Sequence, residues 1–332
     1  MQATATSAAG RQRAGLISLG YGLPKGAISE EIGVALPQTG IFALGNLSHS
    51  YLEFDLLAGV EPAALVTAVA SLSEPRTTMG GVNLVTAFRP ELWSAVAPSS
   101  APAEVTGFAS PVVAADGYAM PATQHDLALW IAGGAYDVVF DAAIGMIAAL
   151  SQTVALVDET VGWSYHRDLD LTGFIDGTKN QPLSVAPKTV LVPAGAPGAG
   201  GSVLLLQKWV HDGAAWTSLD VKRQEQVIGR TKVDSVELVD RPETSHVART
   251  DQDDFGQIFR RNTAFGSVRE HGTMFVGFSA EQRYLAVMLE SMAGLTNGVR
   301  DELTRYSRPV TGAYYFVPSL DDLDAFASTT GR

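Results

Sequence analysis

The sequence predicts an α+β protein made of two ferredoxin-like modules, a split β-α-β unit occurring twice, with antiparallel sheets flanked by helices. Two observations carry this. Strand-like apolar segments are separated by longer segments with helical spacing, and the order of elements in the first half returns in the second. No close sequence repeat accompanies the duplication, so it rests on element order.

In the first half, SYLEFDLL (50–57) has the apolar and aromatic content of a strand. EPAALVTAVASL (61–72) has helical spacing, with Pro62 suited to a first turn. GVNLVTAF (81–88) reads as a strand and PELWSAVA as a short helix. HDLALWIAGG (125–134) is a further strand, and AYDVVFDAAIGMIAAL (135–150) a mostly buried helix. In the second half GSVLLLQKWVHD (201–212) is strand-like and RQEQVIGRTK (223–232) a short helix. GTMFVGFS (272–279) alternates as a strand and leads into the helix AEQRYLAVMLESMAG (280–294), stopped by Gly294. VTGAYYFVPS (310–319) is a closing aromatic strand. The Gly/Pro-rich stretch 186–201 reads as a loop. These readings place a flexible tail at 1–15, a first module at 16–158 and a second at 159–332.

Composition removes several functions. With 35 acidic against 23 basic residues, a net charge of −12 argues against nucleic-acid binding, which needs a basic footprint. The absence of cysteine excludes disulfides, thiolate metal sites, cysteine nucleophiles and covalent c-type haem attachment. No run approaches a membrane span and no signal-peptide core follows the polar first residues, so the expected location is cytoplasmic, away from membranes. G-x-S-x-G is absent, and APGAGG (196–201) lacks both the lysine-serine ending and the strand-to-helix context of a phosphate loop.

Three places carry candidate chemistry. LTGFIDGTKN (171–180) ends an apolar run on Asp176 between Gly173 and Gly177. That is either an Asp-Gly turn or a place where backbone passes close to a flat ligand with the carboxylate aimed at it. No histidine pair has helical zinc spacing. His246, alone in ETSHVART, suits an axial haem ligand, which needs one imidazole and an open opposite face. In IFRRNTAFG (258–266), an extended backbone sends Arg260 and Asn262 to one side and Arg261 to the other. A buried arginine there needs an anionic partner; a surface arginine pair is the plain alternative.

Taken together, DLTGFIDGTKN, QKWVHD (207–212), VIGRTK (227–232), SHVAR (245–249), FRRN..FG (259–266), GTMFVGFS and PVTGAYYFVPS (309–319) resemble a dye-decolourising peroxidase, most similar to the bacterial B-type (P-type) branch. The resemblance spans most of 40–320. It implies one non-covalent haem b per chain, held mainly by the second module, with His246 as proximal iron ligand. It puts Asp176, Arg260 and Asn262 on the peroxide face, where Asp176 and Arg260 promote O–O heterolysis. The implied activity uses H2O2 to oxidise one-electron donors such as dyes and phenolics through a ferryl compound I. Arg230 is implied to face a haem propionate, Gly177, Thr178 and Phe275 to border the haem, and Asp301 to hold the His246 N–H. Trp163, Tyr165 and Trp209 are candidates for carrying electrons to the surface, or plain core residues. Relatives often read D-G-T-E-N; Lys179 stands at that glutamate's place, which argues against manganese oxidation. The resemblance further implies a homodimer or larger ring, and the short ending FASTTGR does not support an encapsulin cargo role. Two other readings stay open: a haem-handling protein with incidental peroxidase activity, and a cofactor-free protein in which His246 and Asp176 are structural.

Overall fold

A computed structural model describes residues 35–72 and 81–327. The tail expected at 1–15 lies outside the described residues.

The first half runs β1 (Ser48–Leu56), α1 (Pro62–Ala70), β2 (Val82–Phe88), α2 (Pro90–Val96), a small hairpin β3 (Val112–Val113) and β4 (Ala119–Met120), β5 (Leu127–Gly133), α3 (Tyr136–Leu150) and β6 (Val154–Trp163). The second runs β7 (Ser202–His211), α4 (Val221–Ile228), β8 (Phe259–Arg260), β9 (Thr263–Gly266), β10 (His271–Ser279), α5 (Gln282–Met292), β11 (Ser307–Pro309) and β12 (Ala313–Val317), then α6 (Leu320–Ala327). The strands of the first half lie in the order β2-β5-β1-β6, and those of the second as β12-β7-β10 with β8 and β9 beyond, every pairing antiparallel. Both halves are thus split β-α-β units in the same strand order, the α+β arrangement that the sequence predicts. The strand β6 runs unbroken through 158/159.

The two sheets are sewn together at both edges. Gly162 and Trp163 of β6 pair with Phe265 and Ala264 of β9, and Phe316 of β12 pairs with Phe88 of β2. With β7 also paired to β10, the strands close into a ring, which removes the open edges that invite aggregation. Its interior is filled by one alternate set of side chains, among them Tyr51, Val85, Trp130, Leu206, Met274, Val276 and Tyr315. The other set faces outward under helices. On the first half it packs against α1 and α3. On the second, Val203, Leu205 and Trp209 of β7 pack with Leu285, Met288 and Leu289 of α5. Both faces of β7 are therefore covered, which is why VLLLQ reads as a continuous apolar run.

Two expectations need correction. The helix α3 is not mostly buried: Val139, Ala142, Ala143 and Met146 face the sheet, while Tyr136, Phe140 and Ile144 are about half exposed on the opposite side. The stretch 186–201, expected as a loop, opens with a short helix, Ala186–Val190. The stretch 171–177, left open between an Asp-Gly turn and a close backbone approach, is an irregular loop tied by single bridges, Tyr165 to Leu169 and Leu169 to Ile175. Among the described residues no helix is long and apolar enough to cross a membrane.

Candidate active site

Between the outer face of β7 and β10 and the helix α5 the layers part, leaving a cavity of about 1,320 Å³ counting its mouth. Strand alternation selects its walls: Leu205, Gln207, Trp209 and His211 from β7, Thr273 and Phe275 from β10. Opposite stand Leu285, Met288, Leu289 and Met292 of α5. Every lining residue falls between Asp170 and Ser307. The structure brings Asp176, Thr178, Arg230, His246, Arg260, Asn262 and Phe275 into this one space, although up to 99 residues separate them in the chain.

His246 opens a single helical turn, His246–Arg249. Its Nδ1 lies 2.6 Å from Oδ2 of Asp301, whose side chain is fully buried. The other Asp301 oxygen accepts from the Leu303 amide at 2.8 Å, capping the 3₁₀ turn Glu302–Arg305. The carboxylate therefore cannot swing away, and Nδ1 is the ring nitrogen that carries the hydrogen. Nε2 is the ring nitrogen left without a side-chain partner among the described residues. The segment is braced from two more directions. The Glu302 amide donates to the Thr244 carbonyl at 2.8 Å. Gly229, in the left-handed region at φ 95°, ends α4 so close that a Cβ would come within 2.9 Å of Ser245 Oγ.

Arg260 and Asn262 follow from register. They pair across from Gly277 and Phe275 and so share the cavity face, while Arg261, opposite Val276, points into the ring. There Arg261 donates to the Ile41 carbonyl at 2.8 Å and sits 5.1 Å over the Trp130 ring; burial lowers its pKa to about 10. The expected partner of the inward arginine is thus backbone carbonyls and a ring rather than an anion. Asn262 Oδ1 accepts from the Val276 amide at 2.9 Å, which leaves its NH₂ as donor. Arg260 Nη2 stands 3.9 Å from Asp176 Oδ1, too far for a direct hydrogen bond, and its buried Nε has no partner among the described residues. A guanidinium and a carboxylate thus face each other across a gap.

Asn180 was not among the residues the sequence singled out, yet it fixes this arrangement. Its Nδ2 donates to the Arg260 carbonyl at 2.8 Å and its Oδ1 accepts from the Arg260 amide at 2.9 Å, replacing a strand with one side chain. Gly177 is not itself a wall residue. At φ 72° it turns the chain so that Asn180 can donate to its carbonyl, and a Cβ there would meet Asn180 Nδ2 at 3.0 Å. What lies close to Gly173 and Gly177 is this chain's own Lys232 and Asn180.

At the mouth, Arg230 donates to the Ser235 carbonyl at 2.7 Å and pairs with Glu237 at 2.5 Å; its burial lowers the guanidinium pKa, and Glu237 works against that. Glu237 also holds Arg241 at 2.7 Å and Lys179 at 3.4 Å, and Lys179 reaches Asp253 at 3.2 Å. Lys179 thus occupies the carboxylates around it. A second imidazole, His211, lines the cavity, but its Nε2 is engaged by Thr273 Oγ1 at 3.1 Å, which in turn donates to Asp170. Of the aromatic candidates, Trp209 lines the cavity, while Trp163 and Tyr165 pack edge to face at 6.0 Å outside it.

The family model for "Dyp-type peroxidase, C-terminal" matches residues 167–322. A dye-decolorizing peroxidase of Mycolicibacterium paratuberculosis is 34% identical over 79% of this chain and 75% of its own length. One from Rhodococcus erythropolis is 36% identical over 75% of each chain. A variant of DypB from Rhodococcus jostii, in complex with heme, superposes with a TM-score of 0.80 at 31% identity, over 87% of this chain and 98% of that one. Relatedness at this level across three quarters of the relatives' length, on one shared fold, places the chain in the dye-decolourising peroxidase family.

Proposed function

We propose that this chain is a haem-dependent peroxidase in which His246 is the axial ligand and Asp176, Arg260 and Asn262 handle the peroxide. The observation that carries the reading is the convergence of these groups in one apolar-walled cavity: an imidazole whose Nδ1 is backed by a fully buried carboxylate, and a carboxylate and a guanidinium facing each other 3.9 Å apart.

The residues fit a haem. A flat, apolar macrocycle needs aliphatic and aromatic walls, which Phe275, Leu285, Met288 and Leu289 supply. Its iron needs one nitrogen ligand, which His246 Nε2 offers with its orientation set by Asp301. Two buried donors without partners among the described residues, Arg260 Nε and Gln207 Nε2, belong to wall residues and suit oxygen-bearing ligands. Arg230 is the wall arginine a propionate would meet, in exchange for its present pairing with Glu237. When bound, the haem supplies the redox centre that takes oxidising equivalents from H2O2 and passes them to donors one at a time.

The chain's own part is to manage protons and charge. Asp176 accepts a proton from the near oxygen of the peroxide and delivers it to the departing one, directly or through a water in the gap before Arg260. The Arg260 guanidinium faces the negative charge that grows as the O–O bond stretches, and the Asn262 NH₂ adds a neutral donor. Because Asn180 grips the Arg260 backbone from both sides, the charge is set in place before peroxide arrives. Dyes and phenolics are the donors this reading implies, and the cytoplasm and a homo-oligomer are the setting.

The test is the absorption spectrum of haem-reconstituted protein beside His246→Ala, before and after one equivalent of H2O2. A Soret band that shifts with peroxide, and is altered or lost in the variant, is the expected result. A bound haem indifferent to peroxide would favour the haem-handling reading, and no uptake would overturn both.

A further inference from the structure

A second cleft of about 1,850 Å³, counting its mouth, adjoins the cavity. The two share Thr172, His211, Thr304 and Ser307, so the partition is one side chain thick. Its charge is out of keeping with the rest of the chain. Arg269, Arg305 and Arg308 line it together with His271. Acidic residues outnumber basic ones by 35 to 23, and several other surface arginines have carboxylates at hand, such as Arg89 with Asp126 at 3.1 Å and Arg300 with Asp116 at 2.9 Å. None of the three cleft arginines has a carboxylate within 4.0 Å, or a side-chain hydrogen bond, among the described residues. The carboxylate in the lining, Asp212, is turned to its own helical turn, with Oδ1 accepting from the Ala215 amide at 2.9 Å. Trp216, almost fully buried, and Tyr306 also line it, rings 5.5 Å apart at 67°.

Like charges gathered around a concave surface repel one another, and an entering anion relieves that repulsion. A guanidinium matches a carboxylate in geometry as well as charge, and the partly exposed Tyr306 ring, backed by Trp216, offers an aromatic molecule a ring contact. We propose that this second cleft binds aromatic carboxylates, and that phenolic members of that class serve there as electron donors. The donor role rests on the peroxidase reading; the binding does not. Each phenol loses one electron and its phenolic proton, and two of them with one peroxide give two phenoxyl radicals and two waters. From the cleft an electron crosses only the shared wall, so the donor need not enter the cavity.

The experiment compares wild type, the triple variant Arg269→Gln/Arg305→Gln/Arg308→Gln, and Lys188→Gln, an exposed cation outside the cleft. Benzoate, benzamide and sulfate are titrated calorimetrically at low salt into the haem-loaded protein. KM is then measured for 4-hydroxybenzoate and 4-hydroxybenzamide. Saturable benzoate binding, weakened at least about tenfold in the triple variant and unchanged in Lys188→Gln, is the expected result. KM should rise for the charged phenol alone. Benzoate binding that ignores the three substitutions, or benzamide binding as well as benzoate, overturns the site. Sulfate binding as tightly as benzoate overturns the aromatic assignment. If the peroxidase reading fails, neither phenol is oxidised by wild type, while the calorimetry still decides the cleft.

Discussion

Replacing Asp301 with Asn tests the support behind His246 without changing the volume of the site. In the folded chain one Asp301 oxygen receives His246 Nδ1 at 2.6 Å and the other the Leu303 amide at 2.8 Å, with no exposed surface on the side chain. Asn keeps one acceptor and turns the other oxygen into a donor. If the acceptor stays on Leu303, the NH₂ meets the His246 N–H and the ring must rotate or change tautomer. The loss is one charge-assisted hydrogen bond in a buried setting, about 1.5–3 kcal/mol. On a metal ligand's supporting carboxylate that corresponds to roughly 10–100-fold in affinity. The assay is haem transfer to a scavenging apoprotein followed in the Soret band, with thermal unfolding of the haem-free protein run in parallel. Haem loss should accelerate by about that factor. Retention equal to wild type in the variant would refute the claim that Asp301 holds His246 as a ligand.

Three further outcomes follow from the same geometry. Asp176→Asn and Arg260→Leu should each keep haem while slowing the reaction with peroxide at least about tenfold, equal to about 1.4 kcal/mol of barrier; unchanged stopped-flow kinetics in both would remove their assigned roles. Asn180→Ala deletes both bonds to the Arg260 backbone and should lower the peroxide rate by about tenfold with haem binding intact; an unaltered rate would show that the strand alone fixes Arg260. Inside the ring, burial raises the pKa of Glu53 from 4.5 to about 7, only partly offset by the Tyr315 hydroxyl at 2.5 Å. A raised acid is held protonated by folding, so its contribution is complete below about pH 4.5 and fades as pH rises through 7. The difference is about 3 kcal/mol at 1.36 kcal/mol per pH unit. Glu53→Gln should flatten that part of the stability-pH curve in urea unfolding, and an unchanged slope would count against it.

Most strands were legible because alternation and β-branched content survive in a covered sheet, and the two halves repeat their order plainly. The strand β6 was not. Leu156 and Val157 are exposed, so the segment alternates neither as a half-buried strand nor as a buried one, and the sequence places the join of the halves there. The short β8, β9 and β11 are too brief to show a period. In the cavity, Asp176, His246, Arg260 and Asn262 stood out through their motifs. Asn180 and Thr273 did not, because their partners Arg260 and Asp170 lie 80 and 103 residues away, and nothing local marks such a contact. Burial along α3 is overstated by the sequence because large apolar residues, Tyr136, Phe140 and Ile144, stand on its exposed face, where apolar character normally signals packing.

The adjacent arginines couple two parts of the molecule that touch different things. Arg260 serves the cavity, whose whole lining comes from residues 170–307. Arg261, one peptide bond away, is anchored by the Ile41 carbonyl and the Trp130 ring, both in the first half. Shifting either anchor moves a backbone shared with Arg260. On the proposed mechanism, the half that contributes no cavity lining would therefore hold a lever on the peroxide rate, through residues with no chemistry of their own.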